Sequence, residues 1–442
     1  MKDLPELRTA VPGPKSSELG KRLKQFESPT VTQVTNKGPI FWERGEGVNI
    51  WDADGNRFVD LTSAFGVASL GHSHPRITAA IRTQTEKLSH AMGDVHPSPL
   101  KTELCAELSR LTFERWTGGK QRGQTILGNS GFEAVEAAVK TARLFTGKRG
   151  IIAFEGGYHG LGLGVLETTW RMEFRHPFYD QLGHFAEFVP FSRQNADAAE
   201  LEAIEKRIRE ILGRREVGAI LVEPFQGRGG EVIPHAELLQ RLRKICDKSR
   251  VLLIVDEIYT GFWRTGRWFG VEHSGVLPDL ICLGKALTGT LPLSACVGRE
   301  DVMLAWPPSK GEALHTSTFL GNPLGCAAAL ASLSLFEKEV PAWKVEEKGK
   351  AFLEILKKGL TDVSGIREVR GVGMMMGVEL KPESRFSATE WCERLLARGI
   401  VALPSGDRGE VLALTPPLTM EMELFAWCVE QIAFVSETRQ TA

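Results

Sequence analysis

Residues 251–262 read VLLIVDEIYTGF, a short apolar run that ends in two consecutive acids. Four more short runs, apolar at consecutive positions, occur between residues 124 and 284: QTILG, GIIAF, GAILVEPF and DLICLG. Such runs are typical of strands that helices cover on both faces, as in a parallel sheet. Helical patterns alternate with the runs from about residue 100 to 330. The sequence therefore predicts an α/β fold with a mostly parallel central sheet between helices.

The patterns change on either side of this region. Residues 1 to about 30 are polar and proline-containing, which indicates an arm rather than a core element. Turn-forming stretches from 38 to 75 separate short apolar runs, which predicts small strands. After residue 330, long helices are expected at about 341–362 and 386–398, around short strands. We therefore predict an N-terminal arm and small-domain segment (1–75), a large domain (76–330) and a C-terminal α+β small domain (331–442).

Composition excludes several classes of protein. The 442 residues are 42% hydrophobic, and 54 basic residues nearly balance 55 acidic ones, which argues against binding nucleic acid or a membrane through bulk charge. The seven cysteines are scattered and never spaced as CxxC, so neither a disulfide framework nor a zinc site is expected. The N-terminus has no apolar secretory core. These features indicate a reduced, cytoplasmic protein.

His72 and His74, in the stretch GHSHP, are the most suggestive metal-binding pair. No third ligand follows at a spacing typical of metal sites, so a turn that enters the next helix is favoured. We expect no metal site.

Three strand–helix junctions contain the candidate catalytic and ligand-binding residues. The first is NSGFEAVEAAVKTAR, residues 129–143, where the apolar spacing predicts a helix that begins near Gly131. Ser130 and Glu133 fit a capping box, and the exposed amides of such a helix start favour a phosphate. Capping boxes are common, so a purely structural role also remains open.

The second junction is the acidic pair at the end of the run 251–255. Side chains alternate along a strand, so Asp256 and Glu257 are expected on opposite faces. One would face solvent or a basic partner, and the other would lie at the ligand-binding edge of the sheet. A strand that ends in two acids also fits an enzyme that hydrolyses nucleotides and binds its metal ion through such an acid. The glycine-rich lysine loop that such an enzyme needs is absent.

The third junction is LPDLICLGKALTGTLP, residues 277–292. Lys285 follows an apolar run between Gly284 and Ala286. Apolar surroundings lower the pKa of a lysine and make its amine a usable nucleophile toward a carbonyl. A lysine that extends into solvent is the alternative.

A phosphate-binding helix start, a strand-end carboxylate and a strand-end lysine together match the needs of pyridoxal 5'-phosphate. The sequence resembles the class III (subgroup II) aminotransferases of fold type I, which include the ornithine, acetylornithine and 4-aminobutyrate aminotransferases. Nine segments carry the resemblance over nearly the whole chain: GEGVNIWDADGNRFVDL, GHSHP, NSGFEAVEAAVKTAR, GGYHG, EPFQGRGG, DEIYTGFWRTG, PDLICLGKAL, HTSTFLGNP and TPPL.

The resemblance implies a role for each matching residue. Lys285 would form the Schiff base with the cofactor, and Asp256 would hold the pyridine nitrogen protonated. The remaining cofactor-binding positions it implies are Ser130, Gly131 and Phe132 at the phosphate, Tyr158 on the ring with His159 beside it, Glu223, Tyr259 and Thr318. In the family this threonine reaches the phosphate of the other subunit, which implies a homodimer with shared active sites.

Three positions depart from the family pattern. Phe132 replaces a hydroxyl residue in the phosphate loop, at the loss of one contact worth about 1 kcal/mol. Tyr259 stands where many relatives have glutamine. Ala413 occupies the position of an arginine that binds the substrate carboxylate in many relatives, which leaves Arg228 and Arg408 as candidate replacements.

The expected activity is ping-pong transfer of an amino group from an amine or amino-acid donor to a 2-oxo acid. A racemase, epimerase or aminomutase would use the same residues, and Ala413 leaves those reactions open. A binding module without activity would be expected to lose the catalytic set, which this chain retains.

Overall fold

Helices and strands alternate along most of residues 2–32 and 38–437, which this computed structural model describes. The strands are β1 Trp42–Glu46, β2 Asn49–Asp52, β3 Arg57–Asp60, β4 Gly123–Gly128, β5 Gly150–Phe154, β6 Ala186–Val189, β7 Val217–Val222, β8 Leu252–Asp256, β9 Leu280–Leu283, β10 Ser294–Arg299, β11 Ile366–Val372, β12 Met375–Leu380, β13 Ile400–Val401, β14 Leu403–Ser405 and β15 Val411–Leu414.

The longer helices are α1 Pro14–Phe26, α2 Pro75–Lys87, α3 Pro99–Ser109, α4 Gly131–Thr146, α5 Ala198–Arg214, α6 Leu238–Ser249, α7 Pro323–Lys338, α8 Val345–Gly359, α9 Ala388–Leu396 and α10 Met422–Glu437. Helices α8 and α9 correspond to the two predicted after residue 330. None of the helices in the described ranges is long and apolar enough to cross a membrane.

A seven-stranded sheet, in the order β4-β10-β9-β8-β7-β5-β6, forms the centre of the protein. Strands β9, β8, β7, β5 and β6 pair in parallel, while β10 pairs antiparallel to both of its neighbours, β4 and β9. Six of the seven strands therefore point the same way. This confirms the α/β fold with a mostly parallel central sheet.

Alternate side chains of the central strands enter two different apolar clusters. In β8, Leu252 and Ile254 pack with helix α4, whereas Leu253 and Val255 pack in the larger cluster on the opposite face. All four are buried. Burial on both faces is the physical reason why these strands are apolar at consecutive positions.

Two four-stranded sheets lie outside the central one, in the orders β1-β2-β3-β13 and β11-β12-β15-β14. The first joins the N-terminal segment to the C-terminal part, because β13 pairs in parallel with β3. This supports a small domain built from both ends of the chain, whose boundaries at residues 75 and 330 stay a prediction. Residues 1, 33–37 and 438–442 of the predicted ranges lie outside the described residues.

The N-terminal arm contains helix α1, which the sequence analysis did not identify. Pro14 occupies the first turn, where its missing N–H costs nothing. The carboxylate of Asp54 accepts hydrogen bonds from the amides of Lys15 (2.7 Å) and Ser16 (2.9 Å). The cap is about forty residues away in sequence, so the local pattern could not reveal it.

Arg264 ties the central sheet to both ends of the chain. Its guanidinium donates to the carbonyls of Met374 (3.0 Å) and Pro416 (2.6 Å) and to the hydroxyls of Ser69 (2.9 Å) and Ser63 (3.3 Å). Burial lowers the pKa of Arg264 to about 10. A buried cation of this kind is stable only while its hydrogen-bond partners are in place.

Candidate active site

A cavity of about 500 Å³ opens where strands β8 and β9 end. The loops after β5 and β7 and the start of helix α4 also contribute to its wall. Eight of the ten predicted site residues line it: Gly131, Phe132, Tyr158, His159, Glu223, Asp256, Tyr259 and Lys285. Lys285 and Asp256 thus face one common space, as chemistry shared between them requires.

Lys285 begins a short helical turn directly after β9, with a backbone φ of 44°. This left-handed conformation is costly for a residue with a side chain, and such strain often occurs at functional sites. The Nζ atom lies 4.1 Å from the centre of the Tyr259 ring. Burial lowers the pKa of Lys285 to about 8, although nearby carboxylates, led by Asp256, oppose the shift. A neutral, nucleophilic amine is therefore accessible near neutral pH.

Asp256 ends β8, and its carboxylate is held from two directions. One oxygen accepts a hydrogen bond from the amide of Ile258 (3.1 Å), and the other lies 2.8 Å from Nδ1 of His159. A carboxylate can only accept, so the proton of this bond belongs to His159. The His159 amide in turn donates to the hydroxyl of Thr169 (3.0 Å). These contacts fix the direction in which Asp256 faces the cavity.

Glu223 joins the loop after β5 to the loop after β7. Its two oxygens accept hydrogen bonds from the amides of Tyr158 and Gly227, both at 3.0 Å. Burial raises the pKa of Glu223 to about 7, and the charge of Asp256 adds to the shift. The charge of this carboxyl group thus varies around neutral pH, a property common in active sites.

The start of helix α4 has the features of a phosphate cradle. Glu133 accepts the amide of Ser130 at 2.7 Å, which is the carboxylate half of the predicted capping box. The Ser130 hydroxyl faces the Glu133 amide without reaching hydrogen-bond geometry, and it has no partner among the described residues although it is buried. A side chain at position 131 would crowd Ile258, because a Cβ at Gly131 would lie only 3.0 Å from it.

An unpaired buried hydroxyl beside free helix-start amides suits an anion with several acceptor oxygens. The chemistry of these groups therefore fits the phosphate of pyridoxal phosphate. The amine of Lys285 and the carboxylate of Asp256, which line the same cavity, suit its aldehyde and ring nitrogen.

The side chain of Phe132 packs beneath the loop that carries Tyr158 and His159. A Cβ at Gly160 would lie 2.4 Å from the Phe132 Cβ, and one at Gly162 would lie 2.5 Å from its ring. The phenylalanine therefore fills space against the loop. A contact between Phe132 and a phosphate would therefore come from its backbone amide.

Tyr259 and the buried Glu231 form a pair that the sequence analysis did not identify. The Tyr259 hydroxyl lies 3.3 Å from Oε1 of Glu231 and from Oγ1 of Thr415, while its ring faces Lys285. Oε2 of Glu231 has no hydrogen-bond partner among the described residues. Burial raises the pKa of Glu231 well above its usual range. Glu231 follows two glycines in a loop, and no local pattern links it to Tyr259.

The two arginines that could replace the one missing at Ala413 lie in different parts of the structure. Ala413 is buried in β15, between Leu403 of β14 and Gly377 of β12. Arg408 is exposed and borders a different surface depression. Arg228 lines the cavity.

The histidine pair of the sequence analysis has two separate roles. His72 Nε2 lies 2.8 Å from Oδ2 of Asp60, and His74 caps helix α2. The predicted turn before the next helix is thereby confirmed. Within residues 2–32 and 38–437, no cluster of potential metal ligands is found.

Thr318 lies outside the residues that line the cavity and is exposed. The adjacent Ser317 accepts a hydrogen bond from the Asn129 side chain (3.2 Å), so the segment borders the phosphate cradle.

The environment of Glu257 differs from the one expected from the sequence. The residue does lie on the face opposite Asp256, but it meets neither solvent nor a basic partner. The side chain is fully buried and accepts hydrogen bonds from the amides of Gly270 (2.9 Å) and Val271 (2.7 Å) and from the Thr260 hydroxyl. Its role is to anchor the loop that follows.

Glu257→Gln is expected to flatten the dependence of stability on pH. Burial raises the pKa of Glu257 from 4.5 to about 7 in the folded state. Its contribution is therefore fully present below pH 4.5 and is lost as the pH rises through 7, by up to about 3 kcal/mol. Urea unfolding at pH 5, 6, 7 and 8 measures this. Exposed Glu354→Gln is the control, and equal slopes for wild type and Glu257→Gln would contradict the prediction.

Comparison with known proteins identifies relatives of the whole chain. The sequence model of the family described as aminotransferase class-III matches residues 31–435. An acetylornithine aminotransferase from Methanopyrus kandleri is 40% identical over 382 residues, 86% of this chain and 90% of that protein. A 4-aminobutyrate aminotransferase from Mycobacterium leprae is 34% identical and covers 95% of each chain.

Solved structures show the same fold. An ornithine aminotransferase from Toxoplasma gondii superposes with a TM-score of 0.83 at 29% identity, covering 95% of this chain and 93% of that one. An amine transaminase from an uncultivated Pseudomonas species, determined with pyridoxal phosphate bound, gives 0.83 at 26% identity, with 93% and 98% covered.

Proposed function

This chain belongs to the class III aminotransferases and is a pyridoxal-phosphate-dependent aminotransferase, and we propose that its Lys285 binds the cofactor covalently. The observation that carries the proposal is that Lys285 and Asp256, at the ends of adjacent strands, line one cavity. When bound, the cofactor supplies an electron sink through which an amino group leaves its donor and reaches an acceptor.

Three residues of the chain have separate roles in the proposed reaction. With the cofactor bound, Lys285 would take the proton from the donor's Cα, as a base with a pKa of about 8 can do near neutral pH. Asp256, oriented by His159, keeps a proton on the pyridine nitrogen. Glu223 holds the loop that carries Tyr158 against the cavity.

The cradle at the start of α4 would hold the phosphate through Ser130 and the amides of Gly131 and Phe132. Tyr158 would lie against the ring, and the face of Tyr259 contacts the amine of Lys285. His159 and Glu223 also line the cavity and support this arrangement through their contacts with Asp256 and with the amide of Tyr158.

The test of the function is a half-reaction. The enzyme loaded with pyridoxal phosphate is mixed with single amine or amino-acid donors, and the amino form of the cofactor and the carbonyl product are measured. Stoichiometric formation of both, followed by return of the amino group to a 2-oxo acid, supports transamination. Solvent deuterium incorporation with inversion at Cα and no carbonyl product would instead indicate a racemase.

The proposal includes a cytoplasmic homodimer. All seven cysteines are unpaired, as expected in a reducing compartment. Large apolar side chains are exposed at the cavity and beside Thr318, among them Leu161, which lines the cavity, and Phe319, which follows Thr318. A second copy of the chain would cover such a surface, and it would bring its Thr318 to the phosphate cradle.

Thr318→Val is expected to weaken cofactor binding about tenfold or more, since a hydrogen bond to a charged group contributes about 1.5–3 kcal/mol. Dissociation constants for pyridoxal phosphate, with remote Thr361→Val as the control, measure the loss. Sedimentation should give the mass of two chains.

A mixed dimer of one Lys285→Ala and one Thr318→Val subunit identifies the subunit that supplies Thr318. Only one site then retains Lys285. That site should bind the cofactor with wild-type affinity if Thr318 comes from the other subunit. Weakened binding at that site would place Thr318 in its own subunit's site and contradict the proposal.

A further inference from the structure

Arg228 is a cation in the cavity wall to which the described part of the chain supplies no anionic partner. It lies in the loop after β7, is half-buried, and its guanidinium lies 6.0 Å from the centre of the Tyr158 ring. Among residues 2–32 and 38–437, no carboxylate forms an ion pair with it, and its side chain donates no hydrogen bond. A half-buried guanidinium has lost part of its hydration, so it is favourably placed to bind an anion that enters the cavity.

The backbone of Arg228 is held firmly. Its carbonyl oxygen accepts hydrogen bonds from the Ser405 hydroxyl, the Gly406 amide and the Arg171 guanidinium, all at 3.2 Å. Arg171 also donates to the carbonyl of Gly406. Three donors on one carbonyl fix the point from which the Arg228 side chain extends, and a fixed base lowers the entropy lost on binding.

Arg228 has a second cation close by. This cation is Arg171, and its pKa is lowered by burial and by the charge of Arg228. The charge of Arg228 also contributes to the lowered pKa of Lys285. Asp407 lies 3.8 Å from Arg171, and the charges of Asp407, Glu173 and Glu410 partly offset the lowering of its pKa.

We propose that Arg228 binds the carboxylate of the amino donor and of the 2-oxo acid acceptor, with Arg171 as a positioning residue behind it. The inference rests on the proposed aminotransferase function, which it deepens by assigning a substrate class and the residue that selects it. The position at which many relatives carry their arginine is Ala413 here and is buried in a sheet, whereas Arg408 is exposed elsewhere. Arg228 supplies the missing group from a different loop.

The test compares Arg228→Met with exposed Arg408→Met in the enzyme loaded with pyridoxal phosphate. The first measurement is the dissociation constant of propionate, an unreactive carboxylate, from the change it causes in the cofactor's absorbance. Arg228→Met is expected to weaken propionate binding about 10- to 100-fold. Arg408→Met should leave it unchanged, and Arg228→Lys should restore part of it.

The second measurement is kcat/KM for alanine, for β-alanine and for ethylamine, which lacks the carboxylate. Arg228→Met should lower the value for at least one of the two acids 10- to 100-fold and leave that for ethylamine within about twofold. A loss with alanine assigns the α-carboxylate, and a loss with β-alanine a more distant one.

Equal losses for acids and amine, unchanged propionate binding, or loss of the cofactor from Arg228→Met would overturn the inference. Failure of the proposed aminotransferase function can be distinguished from failure of this inference, because the wild type itself would then transfer no amino group from any donor.

Discussion

Lys285→Ala is expected to abolish both the visible absorbance of the lysine-bound cofactor and amino transfer. The amine is the covalent attachment point and also the base for the Cα proton, so two functions disappear together. General acid–base catalysis alone contributes up to about 10⁴-fold, and we expect a loss in kcat of at least that size. Absorbance spectra of the variant mixed with pyridoxal phosphate, followed by a full transamination assay, measure both effects.

The matched control is Lys140→Ala, on the exposed face of α4, where the lysine pairs with Glu136 at 2.7 Å. It should keep the spectrum and the rate of the wild type. The Lys285 variant should remain folded, because burying this amine is unfavourable for its charged form and its removal relieves that cost. A variant that keeps the visible band and turns over would show that another amine carries the cofactor.

Asp256→Asn is expected to lower kcat by about 10²- to 10³-fold while the cofactor stays bound. The amide retains the shape of the side chain but carries no charge to hold a proton on the pyridine nitrogen, and loss of one such electrostatic contact costs about this much. Cofactor content after dialysis and single-turnover rates separate binding from chemistry.

Exposed Asp301→Asn serves as the control for Asp256→Asn, since Asp301 pairs with Arg299 at the surface. His159→Asn should share part of the Asp256 defect, because its ring orients the carboxylate. A wild-type rate in Asp256→Asn would exclude the proposed partner of the ring nitrogen.

Much of the fold could be predicted because burial determines the strand sequences. Strands covered on both faces must be apolar throughout, so β5, β7, β8 and β9 are visible in the sequence as continuous runs. Strand β10 was not predicted: Ser294, Ala295 and Gly298 are small residues with little strand preference, and the strand is specified by its two neighbours.

The site was predictable where chemistry follows the ends of strands. Asp256 and Lys285 come together because β8 and β9 are adjacent and parallel. The bond between His159 and Asp256 joins residues 97 positions apart, and Glu231 reaches Tyr259 only through the fold. Such contacts depend on tertiary geometry, which one sequence does not encode locally.

The contacts of Arg264 also bear on the order of folding. They span 110 to 201 positions of sequence, and long-range contacts slow folding because large loops must close first. The guanidinium cannot be satisfied until the chain through Pro416 has been synthesised and docked. A nascent polypeptide stalled before that point should therefore expose an unfinished core to chaperones.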